Sequence, residues 1–215
     1  MSHATIAALP VQGSLLEVDD EPGLGPLAGH VRRTLLDRGA WVDHRPAWLR
    51  GSDTLLQVAL HAIPWRQESR PMYDRVVEVP RLIAWYPDAG RLPHPVLADA
   101  RAALSAHYRP ELGEPFVTAG CCLYRDGRDS VAWHGDTIGR GATTDTMVAI
   151  VSLGSPRSLL LRPRGGGPST QFRLGHGDLL VMGGSCQRTW EHAVPKTARA
   201  VGPRVSIQYR VAGVA

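Results

Sequence analysis

From Glu114 onward the chain breaks into eight short runs: FVTAGCCLY, SVAWH, TMVAIVSLG, RSLLLRP, TQFRL, DLLVMGG, RTWEHAV and RVSIQYRVA, with Gly, Asp and Pro between them. Strand-length segments at such regular spacing predict an antiparallel sandwich or barrel of the jelly-roll kind. The chain before Glu114 has a different texture. LGPLAGHVRRTLLDRG has helical spacing, ends in glycine and leads into a candidate strand, AWVDH. A second helix is expected from Ser52 and Asp53, whose side chains suit an N-cap, through TLLQVALHA to Pro64. A third, PVLADARAALSAHYRP, is opened by proline and should stop before Pro110. Between the last two lies PRLIAWYPDAGRLPHP, whose prolines and polarity read as a surface loop or lid rather than a core strand. The expected class is therefore α+β, mainly β: helices and a lid over residues 1–113 and a β-sandwich over 114–215. No linker separates them, so the 215 residues form one domain.

Composition narrows the functional classes. No apolar stretch approaches the roughly 18 residues that a membrane span needs, and MSHATIAALPVQGSLLEVDDEPG lacks the basic start and apolar core of a secretory signal. Cys121 and Cys122 are adjacent, a poor arrangement for a disulfide, and no CxxC occurs; this fits reduced thiols in the cytoplasm and excludes a zinc ribbon. The net charge of +4 is unevenly spread: residues 1–64 carry five basic and seven acidic side chains, residues 65–215 carry 19 and 13. The later region could meet a phosphate backbone. Since 23 of the 24 basic residues are arginine in a chain rich in Ala, Gly and Pro, GC-rich coding explains the charge equally well.

Chemistry enters with VAWHGDTIG. Residues two apart on a strand face the same way, so His134 and Asp136 can aim an imidazole and a carboxylate at one point. A lone HxD is as often a polar turn. His192, in RTWEHAV, supplies a second imidazole from another strand of the same region. Two histidines and one carboxylate on one side of a metal are the set used by non-haem Fe(II) oxygenases, although zinc accepts it as well. RVSIQYR then places Arg204 and Arg210 on one face of the last strand. A buried guanidinium facing a metal cavity needs an anion and binds a carboxylate through two N–H groups, which suits 2-oxoglutarate.

In these blocks the chain resembles the AlkB family of Fe(II)/2-oxoglutarate dioxygenases: PWRQ (64–67), PRLIAWYPD (80–88), LYRDGRDSVAWHGD (123–136), SLGSPRSLLLRP, GDLLVMGG, WEHAVPK and the terminal RVSIQYR, in the family's order over roughly 150 residues. The resemblance implies a double-stranded β-helix (jelly roll) with a nucleotide-recognition lid, and iron held by His134, Asp136 and His192. It implies 2-oxoglutarate bound by Arg204 at the distal carboxylate, Arg210 nearer the metal, Tyr124 and the position of Cys122, with O2 as oxidant. Trp85 and Tyr86 match the base-recognition segment, where aromatics can sandwich an extruded base, and Arg66, Arg70, Arg81 and Arg91 flank it within reach of phosphates. The implied activity of a monomeric enzyme is oxidative dealkylation of N-alkylated bases in DNA or RNA, with release of aldehyde, succinate and CO2. The chain departs from the family at Ser206 and Gln208, where Asn and Thr are usual, at Cys122, where Asn is usual, and at Ile138, where an acid facing the target base is common. These departures keep open an oxygenase of a non-nucleic-acid substrate, or a non-catalytic metal-stabilised binding module. His176 and Asp178 read as a structural turn, Asp126 and Asp129 as shaping the loop before HxD, and Cys186 and Gln187 as neighbours of the metal strand without an assigned role.

Overall fold

The protein is described by a computed structural model covering residues 21–72 and 75–214, with side chains described outside 70–77. The N-terminal segment through Asp20, read above as lacking a secretory signal, and the side chain of Arg70 lie outside the described residues. Among the described residues, fourteen strands and three helices follow in order: β1 (Gly23–Leu24), β2 (Arg32–Leu35), β3 (Ala40–Arg45), β4 (Leu49–Arg50), α1 (Ser52–Ala62), β5 (Arg66–Met72), β6 (Arg75–Tyr86), α2 (Pro95–Leu112), β7 (Thr118–Tyr124), β8 (Val131–His134), β9 (Val148–Gly154), β10 (Arg157–Pro163), β11 (Thr170–Leu174), β12 (Asp178–Gly184), α3 (Cys186–Thr189), β13 (Trp190–Val194) and β14 (Arg204–Arg210).

All eight runs after Glu114 form strands. They build most of two antiparallel sheets: a major one in the order β2-β3-β12-β9-β14-β7-β6-β5, and a minor one in the order β11-β10-β13-β8. Facing each other, these make the double-stranded β-helix. Apolar side chains fill the space between them, among them Val42, Ile150, Leu161, Leu174, Leu180, Met182 and Trp190. A larger core lies on the opposite face of the major sheet, where Leu55, Leu56, Ala59 and Leu60 of α1 and Leu97, Ala100 and Leu104 of α2 cover Ala149, Val151, Val205, Ile207 and Tyr209. Period-2 alternation therefore decides, residue by residue, which side chains support the fold and which enter the inter-sheet space.

The N-terminal half corrects several expectations. LGPLAGHVRRTLLDRG is not a helix: Arg32–Leu35 is an edge strand paired with β3, and Asp37–Gly39 is a single 3-10 turn with Arg38 at positive φ. Pairing to β3 wins over the local helical spacing. The second helix forms where expected, but its N-cap is Gly51 and the hydroxyl of Ser52 donates to the Leu49 carbonyl instead. The third runs through Pro110 to Leu112 and ends at Gly113 in the left-handed conformation. Most consequential, PRLIAWY is not a surface loop. It is the second half of β6, paired with β7 from Leu82 to Tyr86, so it lies inside the major sheet. Its prolines fall at Pro80 and Pro87, outside the span that pairs with β7.

Candidate metal and cosubstrate site

Three side chains converge at one end of the inter-sheet space. His134 closes β8 and pairs in register with His192 on β13; their rings lie 4.2 Å apart. Asp136 follows two residues after β8 and is buried. One ligand atom from each of the three lies within 4.8 Å of the others, the spacing of donors around a single cation. Orientation is imposed locally. His134 Nδ1–H donates to the carbonyl of Ala132 at 2.8 Å, which fixes the tautomer and leaves Nε2 free to ligate, 3.8 Å from Asp136 Oδ1. The intervening residue must be Gly135, because a Cβ there would come within 2.8 Å of the Gln187 carbonyl.

Electrostatics hold the donors in the protonation states that a metal requires. Burial alone would raise the Asp136 carboxyl, but the Arg210 guanidinium and the two imidazoles outweigh it and bring the pKa down to about 2. Arg210 Nε and Nη2 both donate to Asp136 Oδ2, each at 2.7 Å, leaving Oδ1 toward the histidines. Burial, reinforced by the neighbouring His134, pushes His192 down to about 3, so it is a neutral imidazole at physiological pH.

A narrow cavity of about 90 Å³ runs from this triad along the inner faces of β7 and β14, past Cys122, Tyr124, Ser206, Gln208 and Arg210 to Arg204. Arg204 is 2% exposed. Its Nε donates to Ser152 Oγ at 2.9 Å, its charge lies 5.3 Å from the Tyr124 ring centroid, and its buried Nη1 has no hydrogen-bond partner. Burial lowers its pKa, a direction that an anion in the cavity would reverse. A donor left unpaired inside a protein is costly, and a carboxylate would satisfy it. A dicarboxylic acid with one end at the triad and the other at Arg204 therefore fits the residues present. Cys122 is half-buried with Sγ 3.9 Å from Gln208 Oε1, and Gln208 Nε2 donates to Ser206 Oγ at 2.7 Å. Three of the four departures from the family pattern thus satisfy one another along one wall.

A wider cleft of about 690 Å³ opens above the triad, lined by Arg81, Ser130, Trp133, Ile138, Leu160 and Lys196 among others. The aromatic pair expected at the substrate divides. Trp85 stands on the site side of β6 opposite Gly120 and is half-exposed, whereas Tyr86 points the other way and packs against the helix-side core. The structure does not bring Tyr86 to the site. Of the flanking arginines, Arg66 and Arg91 are exposed, but Arg81 is not a surface phosphate contact. It lies in the wall shared by the cavity and the cleft, 3.4 Å from the Ser130 carbonyl, with its buried Nε unpartnered.

The turn residues behave as expected: Asp178 accepts from the Ala47 and Gly175 amides, and His176 Nδ1 accepts from the Gly154 amide. Asp129 accepts from the Arg125 amide, and the buried Arg157 donates to the carbonyls of Asp126, Asp129 and Pro195, clamping the loop before β8. Sequence reasoning placed Gln187 near the metal strand but gave it no role. On the short α3 and 1% exposed, it accepts the Asp136 amide through Oε1 at 3.2 Å and so holds the backbone that presents the carboxylate. Its distance of 51 residues from Asp136 left no local signal.

Residues 50–210 match the family model of the 2OG-Fe(II) oxygenase superfamily. The chain belongs to that superfamily. It is similar to human alpha-ketoglutarate-dependent dioxygenase alkB homolog 3, 31% identical over 188 residues, covering 75% of this chain and 62% of the relative. It is also similar to the DNA oxidative demethylase ALKBH2 of Arabidopsis thaliana, 31% identical over 131 residues, covering 50% and 41%. The chain thus spans about three-fifths of the length of the first of these. In fold it is similar to the solved structure of OsALKBH1, with a TM-score of 0.55 at 15% identity over 83% of this chain and all of that one. A 2OG-Fe(II) oxygenase from Burkholderia pseudomallei gives a TM-score of 0.53 at 11% identity over 79% and 84%. The cofactors of the superfamily are Fe(II), 2-oxoglutarate and O2, and the triad with its arginine-ended cavity fits them. Among the described residues, no helix is long and apolar enough to cross a membrane.

Proposed function

We propose that this protein is an Fe(II)/2-oxoglutarate-dependent dioxygenase that removes N-alkyl groups from bases of DNA, or of RNA. The observation that carries the reading is a three-donor metal site joined by a narrow cavity to a buried arginine whose Nη1 lacks a partner. Bound iron with 2-oxoglutarate and O2 supplies the oxidation: one oxygen atom enters the N-alkyl C–H bond, the other ends in succinate with release of CO2, and the N–CH2OH product falls apart to N–H and formaldehyde.

The chain's own residues do the rest. His134, Asp136 and His192 hold the metal, while Arg210 keeps Asp136 ionised and fixes its orientation. Arg204 takes the distal carboxylate of 2-oxoglutarate, and Tyr124 and Cys122 line its path. The wide cleft admits the base, and Trp85 at the edge of the site side offers a stacking surface. The name of the Arabidopsis relative, a DNA oxidative demethylase, supports the substrate class. The free thiols of Cys121, Cys122 and Cys186 support a reducing compartment such as the cytoplasm, and we take the working unit to be a monomer.

The test is anaerobic reconstitution with Fe(II) and 2-oxoglutarate, then admission of air with methylated oligonucleotides while formaldehyde and base mass are followed. Repair of at least one oligonucleotide is expected. Ile138, exposed at the cleft rim where an acid is common, favours a second reading, an oxygenase of another substrate. Succinate release with every oligonucleotide unchanged would support it. Metal binding without succinate would mark a binding module.

A further inference from the structure

The wide cleft is short of negative charge for a site that would hold a cationic methylated base. Asp136 is the only acid among its described lining residues, and that carboxylate is committed to Arg210 and the metal position. Against it stand two cations, Arg81 and Lys196. Ile138, 70% exposed at the rim, adds an apolar surface and no charge. Arg81 is incompletely satisfied: it makes one long bond to the Ser130 carbonyl and lies beside the Cys122 thiol and, at longer range, Glu68, while its buried Nε has no hydrogen-bond partner. Among the described lining residues, the walls thus offer donors and positive charge, and the one carboxylate is already paired with Arg210.

We propose that the cleft selects uncharged N-alkylated groups of lactam type, in which a carbonyl oxygen sits beside the alkylated nitrogen, and disfavours alkylated bases that carry a positive charge. The carbonyl would accept from the Arg81 guanidinium, while a cation would face Arg81 and Lys196 with no counter-charge. For 1-methyladenine charge and hydrogen-bond polarity point the same way; 3-methylcytosine keeps a carbonyl beside its methylated nitrogen and is disfavoured by its charge alone. In 1-methyladenine the group beside the methylated nitrogen is a donor, which would oppose the arginine; in 3-methylthymine and 1-methylguanine it is a carbonyl. The inference rests on the dealkylase reading and deepens it by naming the substrate class.

The experiment uses the iron-loaded full chain and four single-stranded oligonucleotides of one sequence, each carrying 3-methylthymine, 1-methylguanine, 1-methyladenine or 3-methylcytosine. The lactam pair should give kcat/KM at least about tenfold above the cationic pair, the scale of one or two uncompensated charges near the substrate. Ile138→Asp should reverse the order, and Arg81→Gln should reduce turnover of the lactam pair selectively. A wild-type preference for the cationic pair would overturn the proposal. So would an Arg81→Gln variant that raises KM for 2-oxoglutarate while leaving the base preference unchanged, since Arg81 would then serve the cosubstrate alone.

Should none of the four be demethylated, the nucleic-acid reading fails separately. Charge selection is then decided by two near-isosteric ligands that stimulate succinate release: neutral N-methyl-2-pyridone, expected to raise it, against N-methylpyridinium, expected not to. Equal stimulation, or a larger effect of the cation, would overturn it.

Discussion

The last strand shows two faces of one sheet under opposite physical demands. On β14, Val205, Ile207 and Tyr209 point to the helices, while Arg204, Ser206, Gln208 and Arg210 point between the sheets; all seven are buried. The helix-side face gains stability from each side chain it removes from water. The inner face buries two guanidiniums, one hydroxyl and one amide at a desolvation cost. Arg210 is compensated by Asp136, but Arg204 is only partly satisfied. Burial is therefore not one quantity in this protein. Outside it holds the fold; inside it stores binding capacity for an anion and a metal.

That contrast can be broken by substitution. The largest effect is expected at Asp136→Ala, which removes a metal donor and strands the Arg210 charge. Fe(II) binding and turnover should vanish, and the metal-free protein should lose about 3–5 kcal/mol in urea unfolding. Adding Arg210→Met should restore most of the stability and none of the activity.

Arg204→Met should raise KM for 2-oxoglutarate about 100-fold or more, the scale of a lost partner in a buried charge pair, yet leave the metal-free protein as stable as before or more so. Ile207→Ala, three residues on and facing the helices, should do the reverse: about 2–5 kcal/mol of stability lost, with KM unchanged at temperatures where the variant is folded.

Acid should separate the faces more gently. His192 sits near pKa 3 when folded, below the histidine value of 6.5, so between these limits the unfolded chain binds the extra proton and stability falls as pH drops. Asp136, at about 2 against 3.8, extends the fall to lower pH with the same sign. Urea unfolding of the metal-free protein from pH 7 to pH 4 should show a slope that His192→Gln reduces; an unchanged slope would count against a neutral buried His192. The smallest effect is expected from Ser152→Ala, which removes the acceptor of Arg204 Nε: about 1 kcal/mol of stability and a few-fold rise in KM for 2-oxoglutarate.

The late strands and the donors were legible because both rest on short-range pattern. Alternation in RVSIQYR and VAWH assigns faces without knowledge of the partners, and HxD spacing forces two donors together. Reading failed where a distant strand decided the outcome. Residues 32–35 gave up helical spacing to pair with β3, and PRLIAWY became a sheet strand because β7 was there to accept it. The same pairing turned Arg81 inward and Tyr86 outward, and no local signal marks Gln187 beneath the Asp136 amide.

The sequence by itself determined the alternation of faces in the second half of the chain and the chemical types available to the site, since both follow from residue order along a strand. Only the tertiary structure decided that His192 stands opposite His134, that Arg210 is bound to Asp136 while Arg204 keeps an open donor, and that Arg81 enters the wall of the cleft. These are facts of register and of long-range pairing, in which a shift of one residue turns every side chain to the other face.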